Sequence, residues 1–214
     1  MARTYQKIYE RTGVDEYRQK VLFHLLVLEK EMLPNVGSSP SVKEAFEQYK
    51  NLKSYVENMN KPRFWEKRKE IAALEATLKT CKTVSQTIFY RSKIIASLEK
   101  LNNQLPEKSP LLELELAQSY LEQALAQVDN RNYKEVEANA QKALALDTSN
   151  DNLIALLATA QWLQNKKPMV QETYKMVKDS HLIFRTMSDF EKKGIEKGVF
   201  DPLRVDFERK KGEL

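Results

Sequence analysis

The sequence predicts an all-α fold, and three observations predict it. Glycine and proline number only 5 and 7 in 214 residues, too little turn chemistry for a sheet protein of this length. Apolar residues recur at three- and four-residue steps through most of the chain, the period of a helix. With 42% hydrophobic and 30% charged residues, the chain can bury a sizeable core as one larger domain or two small ones.

The elements follow in order. Residues 4–12 form a short helical start, broken at Thr12-Gly13. Tyr17, Val21, Leu22, Leu25, Leu28 and Met32 then set a helical stripe that Pro34 stops. Residues 35–40 read as a loop, and Ser41 with Glu44 as a capping box. Val42, Phe46, Tyr49, Leu52, Val56 and Met59 make the next stripe, so the two segments pair as an N-terminal helical hairpin. Pro62 suits the first turn of a helix, where a missing N–H costs little. From there Ile71, Leu74, Leu78, Cys81, Val84, Ile88, Ile95, Leu98 and Leu101 run without Gly or Pro, so one long helix is expected over 62–104. Ser109-Pro110 opens the following helix as cap and first residue. The expected organisation is a basic N-terminal helical region (1–108), a region of helical hairpins (109–180) and a C-terminal capping helix and tail (181–214).

The region of hairpins carries an internal repeat. At an offset of 34 residues, Tyr120 falls on Ile154, Leu121 on Ala155, Ala124 on Ala158, Val136 on Val170, Ala140 on Tyr174 and Ala143 on Val177. The turn Asn130-Arg131-Asn132 falls on Gln164-Asn165-Lys166, and Asn132 with Glu135 reads as a cap and its partner. This period and pattern resemble the tetratricopeptide repeat (TPR), a pair of antiparallel helices. The likeness covers about residues 117–184. It departs from the family at Gln123, Gln127 and Thr148, at Lys167-Pro168, and in lacking a turn glycine. Two such units cannot stand alone, so neighbouring helices must cap them, with Phe184, Met187, Phe190 and Ile195 at the C-terminal side.

In that family the first helix of each repeat lines a groove for a peptide or helix. The resemblance implies a partner-binding groove at Gln118, Leu121, Leu125, Val128, Asn152, Ala155, Thr159 and Trp162. The groove so placed is apolar, with a tryptophan of the kind enriched at binding hot spots, and it suits a partner helix. Asn152 is its only residue of the carboxylate-clamp type, which speaks against chaperone-tail recognition.

Charge marks a second candidate. Residues 1–110 hold 20 Lys and Arg against 13 Asp and Glu, residues 111–178 hold 7 against 9, and residues 179–214 hold 8 against 8. The basic excess therefore lies in the N-terminal half. Its densest run, with Lys61, Arg63, Trp65, Lys67, Arg68 and Lys69, could meet an anion, nucleic acid or an anionic membrane surface. The bland alternative is that Phe64 and Trp65 seal a helix junction while the cations face water.

Other chemistry is poorly represented. One cysteine, Cys81, excludes an internal disulfide and a Cys-based zinc cage. His24 reads as a partly buried core residue, and His181 as a residue near a helix C-terminus. The pairs Glu113 and Glu115, and Glu135 and Glu137, read as solvated faces rather than acid–base dyads. The apolar run 21–28 is too short to span a membrane. No cofactor, metal or catalytic site is expected, nor a signal peptide, and the cytoplasm is the expected compartment. The function expected is a non-enzymatic adaptor or scaffold subunit of a larger assembly, binding a partner helix or peptide. The alternative is a nucleic-acid- or ribonucleoprotein-associated protein using residues 61–69.

Overall fold

The structure is a computed structural model that describes residues 15–32, 40–58, 62–104, 109–148, 150–177 and 180–205. Among the described residues there are helices and turns but no strand, as the scarcity of turn residues requires. The short helix expected over 4–12 lies outside them. The helices are α1 (Asp15–Met32), α2 (Pro40–Asn58), α3 (Pro62–Leu78), α4 (Val84–Gln104), α5 (Pro110–Asp129), α6 (Tyr133–Leu146), α7 (Asp151–Leu163), α8 (Lys167–Tyr174) and α9 (Ser180–Lys192). The chain divides into two compact units, residues 1–82 with 89–116 and residues 83–88 with 117–214.

In the first unit α1 packs against α2, burying Val21 and Leu25 on one helix and Phe46, Tyr49 and Leu52 on the other. Because α2 begins at Pro40, Ser41 lies inside its first turn rather than at the cap position. The single helix expected over 62–104 is two helices, α3 and α4, separated by a turn at 79–83. Neither Gly nor Pro makes this break. Instead the Thr77 carbonyl accepts the Thr80 N–H at 2.9 Å, the Thr80 hydroxyl at 2.7 Å and the Cys81 thiol at 3.6 Å. Local hydroxyl-to-backbone bonds of this kind compete with helix continuation. Thr83 then starts α4 by accepting the Gln86 N–H on its side-chain oxygen at 3.2 Å. The chain folds back, so that the Ser97 hydroxyl on α4 donates to Glu70 on α3 at 2.8 Å. Cys81 is thus a half-buried turn residue, not a member of a continuous apolar stripe.

In the second unit the 34-residue offset recurs in backbone geometry. α5 ends with Arg131 at φ 54° and α7 with Asn165 at φ 60°. The Arg131 and Asn165 N–H groups donate three residues back, at 2.9 and 2.8 Å, and the Asn132 and Lys166 N–H groups five residues back, both at 3.0 Å. Both turns are Schellman motifs, with the left-handed residue just past the helix end. Gly194, at φ 91°, ends α9 the same way, and helical backbone resumes over 201–205. The side chains repeat too. Tyr120 and Ile154, Ala124 and Ala158, Val136 and Val170 are all buried.

A buried polar position also recurs, with Gln127 and Gln161 at the end of the first helix of each pair and Asn139 and Thr173 on the second. The Thr173 hydroxyl donates to Gln161 Oε1 at 2.8 Å, whereas the Asn139 amide donates to the Glu135 carbonyl at 2.8 Å. The side-chain oxygen of Asn132 accepts from the Glu135 N–H at 3.4 Å and that of Asn150 from the Leu153 N–H at 3.4 Å, so Asn caps both α6 and α7.

Helix α7 is the centre of this unit. Every residue from 153 to 161 is buried, and α6, α8 and α9 all pack against it. A helix apolar on all sides belongs in a core. The first pair is bounded by residues 83–88, where the Gln123 side-chain amide donates to the Ile88 carbonyl at 3.4 Å. At Asn165, glycine relieves the left-handed backbone and a β-branched residue aggravates it. Asn165→Gly is expected to raise stability by a few tenths to about 1 kcal/mol and Asn165→Val to lower it by about 1 kcal/mol or more. Urea midpoints of the two variants check this.

Candidate functional site

The eight groove positions do not form one open surface. Gln118, Leu125 and Asn152 are exposed and Leu121 is half-buried. Val128, Ala155 and Thr159 are at most 1% exposed and offer no surface to a partner. Three helices, α6, α8 and α9, pack on α7, so Ala155 and Thr159 lie inside the unit, and Val128 on α5 is buried as well. Trp162 is half-buried, and its indole N–H donates to the Val199 carbonyl at 2.9 Å. The Lys167 ammonium stands 5.8 Å from the centre of its ring. The C-terminal segment therefore takes the hydrogen-bonding edge of the tryptophan. What stays open is a row on α5, Gln118, Leu121 and Leu125, with Asn152 at the start of α7.

The basic-aromatic cluster is divided by the fold. Lys61 lies outside the described residues, as do the side chains of Arg63 and Trp65. Phe64 is buried, as its junction-sealing role requires. Arg68 is buried as well, and its Nη1 donates to both carboxylate oxygens of Glu115 at 2.9 Å. Its charge is committed to an internal ion pair and is withdrawn from the expected anion patch. Lys67 is paired with Glu70, while Lys69 is exposed. Lys67 and the Ser97 hydroxyl, both donating to Glu70, hold its carboxyl below the ordinary 4.5.

Sequence reasoning missed a different surface, on α1. Phe23 is 64% exposed, Leu26 52%, Val27 39% and Leu28 39%, whereas Val21 and Leu25 are buried. The signal was present: Phe23, Leu26 and Val27 lie off the stripe that faces α2, at steps of three and one. An amphipathic helix would carry polar residues there. Phe23, Leu26 and Val27 share one face of the helix and make an exposed apolar patch of the kind that marks interaction sites.

The remaining candidates resolve by position. His24 is half-buried and meets the Phe23 ring edge-on at 5.9 Å. His181 is the second residue of α9, so it sits at a helix N-terminus, not at the C-terminus expected. Glu115 and Glu137 are not merely solvated. The first holds Arg68, and the second is 5% exposed and bound by Gln164 and Lys166. Among the described residues no three His, Cys, Asp or Glu side chains gather as a metal would need, and no helix is long and apolar enough to cross a membrane. A hollow of about 380 Å³ beside α3 is lined by Glu66, Lys67, Glu70 and Gln104. Compared with known proteins, the chain matches no family model, no curated protein and no solved structure.

Two outcomes follow. Arg68→Ala leaves the partly covered Glu115 carboxylate without its cation, and is expected to cost about 2–4 kcal/mol of folding stability. A phosphate-binding arginine on the surface would cost almost none, so a denaturant titration separates the two roles. For Glu70, a folded-state pKa below the unfolded value contributes stability above the unfolded value, and this is lost as pH falls through the folded one. Wild type should therefore exceed Glu70→Gln in stability at neutral pH. The gap should close as the pH falls below 4.5, which paired melts at each pH record.

Proposed function

We propose that this protein is a non-catalytic interaction scaffold that binds partner proteins through helix-to-helix contacts. The observation that carries the reading is the row of exposed apolar side chains on α1, Phe23, Leu26, Val27 and Leu28. Exposed rows of this kind suit helix-in-groove or helix-pair recognition. The 34-residue recurrence of turns, caps and buried positions supports a TPR-like frame for the second unit. Stacked hairpins of that class give rigid, extended surfaces built for binding. The open row Gln118, Leu121, Leu125 with Asn152 is the part of the groove available to such a partner.

The basic half of the chain adds long-range attraction for an acidic partner rather than phosphate readout, because Arg68 and Lys67 are already paired within the fold.

Affinity purification from the native source, run in parallel with wild type, Phe23→Glu and Leu125→Glu, tests this reading. Both substituted side chains are exposed, so folding free energies from urea titration should stay within about 0.5 kcal/mol of wild type. Phe23→Glu is expected to lose at least one protein that wild type retains through salt washing. Identical protein sets from all three would sink the proposal. Retention of nucleic acid that falls steeply between about 50 and 200 mM salt would replace it with phosphate binding.

A further inference from the structure

Helix α9 resembles a bound ligand more than a terminal cap. Its buried row is Ile183, Met187 and Phe190, each at most 2% exposed, at the i, i+4, i+7 spacing by which an amphipathic helix anchors in a groove. It lies on α7, where Ala155 and Thr159 have no exposed surface. Beyond the helix, Trp162 donates to the Val199 carbonyl, as a groove tryptophan would to a bound segment. Two polar ties close the edge. Lys193 pairs with Asp129 at 2.6 Å, and Arg131 Nη2 donates to the Gly194 carbonyl at 3.2 Å. Both ties are solvent-exposed, where ion pairs contribute little, so the apolar row holds the segment and the rim orients it. Glycines at positive φ, Gly194 and Gly198, set the chain direction just past α9.

We propose that residues 180–205 are a groove ligand supplied in cis, and that the partner they exclude is an amphipathic helix with the same apolar row. This rests on the scaffold reading above and deepens it by naming the occupant and its competitor. A tethered segment competes at an effective concentration of order millimolar. A partner in trans therefore binds with an affinity reduced by the fraction of molecules whose groove is open. Weakening the segment without touching the groove should raise the affinity for a partner.

The test uses the full chain and a fluorescent synthetic peptide of residues 180–205 as the probe. Lys193→Glu loosens the rim from the segment's side, and Met187→Ala shortens the anchor row, while both leave α5 and α7 intact. Peptide binding, read by anisotropy, is expected to strengthen several-fold in Lys193→Glu and more than tenfold in Met187→Ala relative to wild type. Hydrogen exchange on the same proteins should show residues 183–190 opening faster than residues 153–160. If both sets exchange together in all three proteins, the segment is core and the cis-ligand proposal fails, leaving the scaffold reading to the rows on α1 and α5. If residues 183–190 open but the peptide still does not bind, the proposal fails together with the reading of α7 as a helix-binding face.

Discussion

The second unit depends on the burial of one short helix. Residues 153–161 of α7 are covered on every side, and its Leu153, Ile154, Leu156 and Leu157 each contribute on the order of 2 kcal/mol by leaving water. A helix this apolar cannot face solvent, so three helices must surround it. α6 and α8 arrive through short turns, and α9 arrives last in the chain. The alanines at 155, 158 and 160, all unexposed, let these neighbours approach closely. The same need explains why the groove positions Ala155 and Thr159 on α7 are closed: an apolar floor of this kind is costly to leave wet.

Polar groups then fix how the helices meet. Gln161 with Thr173, and Glu137 with Gln164 and Lys166, are buried or half-buried pairs that span successive helices of the unit. An apolar interface tolerates sliding by a turn, whereas a buried amide or carboxylate loses its partner if the helices slide. In the first unit Arg68 with Glu115 and Glu70 with Ser97 play the same part. Residues that looked like surface charge in the sequence are thus ties between helices. In the basic cluster this commits Arg68 to Glu115 and Lys67 to Glu70.

The unpartnered surface lies elsewhere. α1 is apolar over 21–28 except at His24, yet of these residues only Val21 and Leu25 are buried. Within the second unit, by contrast, α9 is seated on α7 and its apolar row Ile183, Met187 and Phe190 is buried.

The helical class, the cap at Asn132, Pro110 as a first helical residue and the shared geometry of the turns at 130–132 and 164–166 were legible in the sequence, because they depend on local spacing. Ser109 does not cap as expected, since its hydroxyl has no hydrogen-bond partner. The turn at 79–83 was harder to read, since threonine hydroxyls break a helix less visibly than glycine or proline do. The left-handed Arg131 and Asn165 carry no glycine to announce them, although their offset follows the repeat. What only tertiary structure decided was which apolar face is covered. Phe23 and Ile183 look alike in a list of hydrophobic residues, yet one is exposed and the other has no exposed surface. Nor could spacing show that Arg68 meets a carboxylate 47 residues away. Periodicity says that a helix has an apolar side, but what lies against that side is settled by contacts between segments far apart in the chain.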